Sequence, residues 1–100
     1  MLSVVLFFLN VNIMSTIERE QIQTEIIRIF SEQFEIENPG PDEDLRDVHG
    51  FDSIDAIELL GEIESLLKSE LTRSEKKAAM EIRTIDQILD YIESLAKTRS

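Results

Sequence analysis

Cysteine is absent from this chain of 100 residues. Disulfides and thiolate metal sites are thereby excluded, nothing argues for an oxidising compartment, and a cytoplasmic location is the expectation. Basic side chains are scarce as well, with 10 Lys and Arg against 21 Asp and Glu and a net charge of −11. Such a chain should repel nucleic acid and anionic membrane surfaces and attract basic protein patches, so a basic protein is the expected partner. The length admits one small domain with one modest core, expected to act as a monomer. Strand signatures are missing beyond residue 14, where neither strict alternation nor runs of Val and Thr occur. No internal repeat or low-complexity run is present.

Charge of either sign is missing from the first 14 residues, MLSVVLFFLNVNIM. A signal peptide needs a positive start and a small-residue cleavage site, and a membrane span needs roughly 20 residues. This segment has no Lys or Arg, contains two Asn and is too short. It reads as a non-native leader, for example an upstream start with Met14 as the true first residue. A weak membrane-associating tail and a segment packed on the domain are the alternatives. Stable membrane insertion is not expected, and the folded domain is expected over residues 15–100.

What is present from Ser15 onward is helical periodicity. Ser15-Thr16-Ile17-Glu18 is a capping box that opens a first helix, with Ile22, Ile26, Ile29 or Phe30, and Phe34 as its core stripe. EIENPGPDEDLRDVHG holds both prolines, two of the three glycines and six carboxylates, and predicts a long irregular loop pinned by Leu45 and Val48. A second helix is predicted over about 53–69 and a short, weakly marked element over 74–80. A second capping box, Thr84-Ile85-Asp86-Gln87, opens a last helix with Ile85, Ile88, Leu89, Ile92 and Leu95 inward. The fold class is all-α: a small four-helix bundle of three longer helices and one short one.

The second helix carries the chemistry. At about 100° per residue, Ile57, Leu60, Ile63, Leu67 and Leu71 share a core face widened by Leu59 and Leu66. Asp55, Glu58 and Glu62 then form the opposite face, with Ile54 and Gly61 on the border. That acidic strip is either a solvated face or a docking surface. Ser53 stands at the start of this helix in GFDSIDAIELL, where either Asp52 or Ser53 can cap. A phosphate on Ser53 would meet orphan N–H groups and the positive end of the helix dipole. A nucleophilic serine would need a base and an oxyanion hole, and only His49 lies near in sequence, so no catalytic residue is assigned and the protein is read as a non-enzyme. His49 is read as a polar loop residue, with a place beside a phosphate on Ser53 as the alternative. Calcium frames starting at Asp42 or Asp47 place Asp47 or Asp52 where the loop requires glycine, so no metal site is assigned.

Gly50, Asp52-Ser53-Ile54, Asp55 and Glu58, leading into an apolar helix, resemble the D-S-L signature of acyl carrier proteins. STIEREQIQTEIIRIFSEQFEI resembles the family's first helix and TIDQILDYIESL its last, so the resemblance covers roughly residues 15–96. It implies a carrier: a phosphopantetheinyl transferase, using coenzyme A and Mg, would attach 4'-phosphopantetheine to Ser53, and the thiol of that group would hold acyl intermediates. It further implies that Asp52, Ile54, Asp55, Glu58, Gly61 and Glu64 meet the transferase and acyl ligase, synthase or acyltransferase enzymes bearing basic patches. Leu45, Ile57, Ile63, Leu71 and Ile82 would line the interior where an acyl chain tucks. Gly61 in place of a bulky apolar residue, Val48-His49 before the glycine, Ile54 after the serine, and the cations Lys68, Arg73, Lys76 and Lys77 depart from the family pattern. They favour a specialised lipid or secondary-metabolite carrier over the housekeeping one. An aminoacyl or peptidyl carrier and a non-enzymatic acidic helical adaptor are the alternatives.

Overall fold

The computed structural model describes residues 14–99, with side chains from residue 19 onward. Five helices follow in order: α1 (Met14–Phe34), α2 (Leu45–His49), α3 (Ser53–Leu67), α4 (Arg73–Ala79) and α5 (Ile85–Arg99). Among the described residues there is no strand. The three long helices and the short α4 are the predicted bundle, and α2 is the addition. Residues 1–13 of the leader, and the side chains of the Ser15–Glu18 capping box, lie outside the described residues.

Each helix end is set by a local signal. α1 stops at Glu35, whose φ of 56° is left-handed, and the next N–H, of Ile36, returns to Phe30 O at 2.9 Å. α3 ends in a Schellman turn with Lys68 at φ 52°, Ser69 N donating to Glu64 O and Lys68 N to Ser65 O. α4 opens on a capping box, Thr72 Oγ1 accepting from Glu75 N and Glu75 Oε1 from Thr72 N. That T-x-x-E signal starts this helix at Arg73, one residue upstream of where its spacing alone suggested. At α5 the predicted box is present: Thr84 Oγ1 accepts from Gln87 N at 3.1 Å, and Gln87 Oε1 accepts from Thr84 N at 3.2 Å.

The loop between α1 and α3 is more ordered than its composition predicts. Asp44 accepts from the N–H groups of Arg46 and Asp47, each at 2.9 Å, and so starts the five-residue α2. Leu45 is 1% exposed and is the pin; Val48, the other predicted anchor, is 55% exposed. Backbone bonds from Leu45 N to Arg83 O and from Asp86 N to Pro41 O fasten this loop to the α4–α5 turn. The core beneath joins Ile26, Ile29 and Phe30 to Leu59, Leu60 and Ile63 and to Ile85, Ile88, Leu89, Ile92 and Leu95. Burial of these side chains is the main stabilising term.

Two ionic ties bind α5 to its neighbours. Arg19 of α1 reaches Asp90 at 3.1 Å, Asp86 at 3.8 Å and also Glu93. Arg99 contacts both carboxylate oxygens of Glu75, at 2.7 and 3.0 Å, and bonds Ser69 Oγ and Glu70 O. One side chain thereby closes the α3–α4 turn and α4 against the end of α5.

Candidate functional site

Ser53 is held from behind. Phe51, two residues earlier, is 7% exposed and packs on Phe30 and Phe34 with ring centroids 5.0 and 5.1 Å away. Gly50 makes the preceding turn at φ 67°, its N–H donating to Arg46 O, while Phe51 N reaches Leu45 O. Asp52 is then extended and caps α3: its Oδ1 accepts from Asp55 N at 3.0 Å, and Asp55 Oδ2 accepts from Asp52 N at 3.2 Å. The capping role that Asp52 and Ser53 could share thus belongs to Asp52. Ser53 is the first helical residue, exposed, and among the described residues its hydroxyl makes no hydrogen bond. The N–H groups of Ser53 and Ile54, at the first turn, also lack an acceptor there. Phe51 was not singled out as part of the site by its sequence; the signal was an apolar residue just before the cap, the place from which a chain is commonly stapled to a core.

The face that α3 presents differs from the prediction. Leu59, Leu60 and Ile63 are buried, with Ala56, Leu66 and Leu67 packed beside them, whereas Ile54 is 67% and Ile57 62% exposed. Ile57 is therefore a surface residue, and its assignment to the core face and the acyl interior is corrected. Counting Ile57 and omitting Ala56 turned the predicted core face by roughly 50°, half of one residue's step. Opposite the true core stand Ile54, Ile57, Glu58 and Gly61, so the outward face is apolar and acidic together. Asp55 and Glu62 are half-buried shoulders. Glu64 is half-buried and accepts from Leu71 N at 2.9 Å, a structural bond across the α3–α4 turn.

An apolar cavity of about 20 Å³ lies under α3, lined by residues that include Leu45, Phe51, Leu60, Ile63, Ile82 and Tyr91. Three of the five interior residues implied by the resemblance, Leu45, Ile63 and Ile82, meet there. Leu71 is buried in the core but does not line it. Tyr91 turns its hydroxyl away into Glu75 O at 2.6 Å, and burial pushes its phenol pKa up.

His49 does not face a nucleophile. Its Nε2 lies 2.9 Å from Glu43 Oε1, which also accepts from Gly40 N at 2.7 Å. The His49 bond and then the Gly40 N–H hold the Glu43 carboxyl below its ordinary pKa. Among the described residues, no cluster of three or more His, Asp or Glu could hold a metal ion. None of the described helices is long and apolar enough to cross a membrane.

An exposed serine freed from capping, at a helix start anchored by an aromatic cluster, fits a covalent phosphodiester better than it fits acyl-enzyme chemistry. A family model, that of the phosphopantetheine attachment site, matches residues 24–92. The chain belongs to that family. Comparison with curated proteins and with solved structures finds no match. A phosphopantetheine-attachment domain is a carrier: it bears 4'-phosphopantetheine covalently and works with a phosphopantetheinyl transferase and synthetic enzymes. When bound, that group supplies a thiol on which cargo is held as a thioester. The residues of this domain suit it, since the free hydroxyl and the free N–H groups of the first turn stand together at the surface.

Proposed function

We propose that Ser53 is the attachment residue and that the domain, within residues 15–100, carries acyl groups as thioesters in a specialised lipid or secondary-metabolite pathway. The observation that carries this reading is the division of labour at the start of α3. Asp52 takes the cap, and Ser53 keeps an exposed hydroxyl with no partner among the described residues. In the transfer, Ser53 Oγ displaces the nucleotide half of coenzyme A at the pyrophosphate; the new bond is Oγ–P, the broken bond is the P–O of the pyrophosphate, and the hydroxyl proton leaves to a base of the transferase. Ser53 needs only access for this role, which its exposure supplies.

The partner surface in this reading is the outward face of α3 with its start: Ile54, Ile57, Glu58 and Gly61, together with Asp52 and Asp55. Exposed isoleucines beside carboxylates match partners whose basic rim surrounds an apolar patch. Ile57 joins the face on the strength of its exposure, and Glu64 contributes less because its carboxylate serves the turn at Leu71. Leu45, Ile63 and Ile82 border the interior that an acyl chain would enter. A cytoplasmic monomer is the matching expectation.

Incubation with coenzyme A, Mg and a broad-range transferase, followed by intact mass, tests the assignment. The expected result is a gain of one phosphopantetheinyl group that Ser53→Ala abolishes. No gain, or a gain that survives Ser53→Ala, overturns it.

A further inference from the structure

Beside Ser53 lies an open groove of about 320 Å³ lined by Arg46, Gly50, Phe51, Asp52 and Ser53. Arg46 is the one cation among these five, and Asp52 Oδ1 is engaged by Asp55 N. Resting on Ser53 as the attachment residue, we infer that Arg46 is a positioning residue for the prosthetic group, its guanidinium pairing with the phosphodiester that Ser53 carries.

The first argument is charge. In a chain of net charge −11, Arg19, Arg28, Arg83 and Arg99 each face at least one carboxylate. Among the described residues Arg46 and Arg73 have no such partner, and of the two only Arg46 borders the groove at the serine. A phosphodiester there places a new negative charge between Asp52 and Asp55. The N–H groups of the first turn offset it only in part, with the partial charges of a helix end. A full positive charge in the same groove offsets more, and a guanidinium matches two phosphate oxygens at once.

The second argument is placement. Arg46 is fixed on both sides of its backbone: its N–H donates to Asp44 Oδ1 at 2.9 Å and its carbonyl accepts from Gly50 N at 3.0 Å. The turn at Gly50 and the buried Phe51 then lead directly to Asp52 and Ser53. The stretch from Arg46 to Ser53 is held by these bonds, so pairing costs little backbone entropy. His49, the other cation-forming residue of the segment, is occupied by Glu43.

Apo and loaded forms of the wild type, Arg46→Gln and Arg46→Lys test the inference, with intact mass establishing loading on Ser53 in each. Loading is expected to raise the melting temperature of the wild type by about 2–4 °C more than that of Arg46→Gln, the size of one exposed charge-assisted pair in so small a domain. The difference should shrink at high salt, and Arg46→Lys should retain part of it. The phosphorus resonance of the loaded protein should also move on Arg46→Gln. Equal loading shifts in all three proteins together with an unmoved resonance overturn the role of Arg46 while leaving the attachment intact. A missing mass gain overturns the Ser53 assignment and this inference with it.

Discussion

At the scale of single residues, Asp52 and Ser53 have been given different work although either could cap. Asp52→Ala removes the oxygen that accepts from Asp55 N and should cost about 1 kcal/mol in urea denaturation. Ser53→Ala removes an exposed hydroxyl with no partner among the described residues and should stay within about 0.5 kcal/mol of wild type while abolishing loading. If Ser53→Ala loses as much stability as Asp52→Ala, the serine is structural after all. Gly61 offers a second single-residue test. A Cβ built there meets nothing within 4 Å, and the residue is helical and exposed. Gly61→Ala should therefore stabilise the domain by up to about 1 kcal/mol. The stability that glycine gives up at this position leaves the outward face without a side chain one turn beyond Ile57 and Glu58. A melting temperature that falls on Gly61→Ala would contradict this.

At the scale of elements, the rotation of α3 decides which isoleucines are core. Ile63 is 1% exposed and Ile57 62% exposed. Ile63→Ala should cost about 2–5 kcal/mol through lost burial and a cavity, whereas Ile57→Ser should change stability by about 0.5 kcal/mol or less. On the proposed docking role, Ile57→Ser should nevertheless slow loading by the transferase. The tie between α4 and α5 predicts a pH dependence. The Arg99 guanidinium, and next the Thr72 N–H, hold the Glu75 carboxyl at about 2, below its ordinary 4.5. Because the folded-state pKa is the lower one, the tie contributes fully above about 4.5 and is lost as pH falls toward about 2. Acid titrations of the melting temperature should show Glu75→Gln less stable than wild type at neutral pH, with the gap closing below pH 4.5. A gap of constant size down to the acid limit would assign the loss to packing instead of charge.

At the scale of the whole molecule, a net charge of −11 makes association a long-range matter. Glu58 is the exposed acid on the outward face of α3. Glu58→Lys should slow loading chiefly through the association step, with an effect that fades as salt rises. A rate unchanged at low ionic strength would make Glu58 part of an ordinary solvated surface. Lys68, Arg73, Lys76 and Lys77 are exposed at the end of α3 and in α4, so the cations are unevenly spread along the chain.

Capping chemistry and periodicity are local, and for that reason the sequence alone determined the all-α class, the four bundle helices, the inward face of α5, the box at Thr84 and the serine at a helix start. The D-S-I stretch and its helical context pointed to a carrier only through their resemblance to a known family. Other features depend on what packs against what. α2 exists because Asp44 caps it and Leu45 finds the core and the Arg83 carbonyl. The orientation of α3 followed from the apolar neighbours that α5 and α1 supply: a helix with apolar residues at 54, 56, 57, 59, 60, 63, 66 and 67 admits more than one core face, and periodicity cannot choose among them. Glu64, acidic like Glu58, was drawn to a backbone N–H across a turn, and His49 to Glu43. Only the tertiary structure decided which carboxylates are surface and which are struts, because hydrogen bonds between residues several positions apart form in three dimensions and not along the chain; at Ser53 the sequence offered two caps, and the structure shows the Asp52–Asp55 box taking that role.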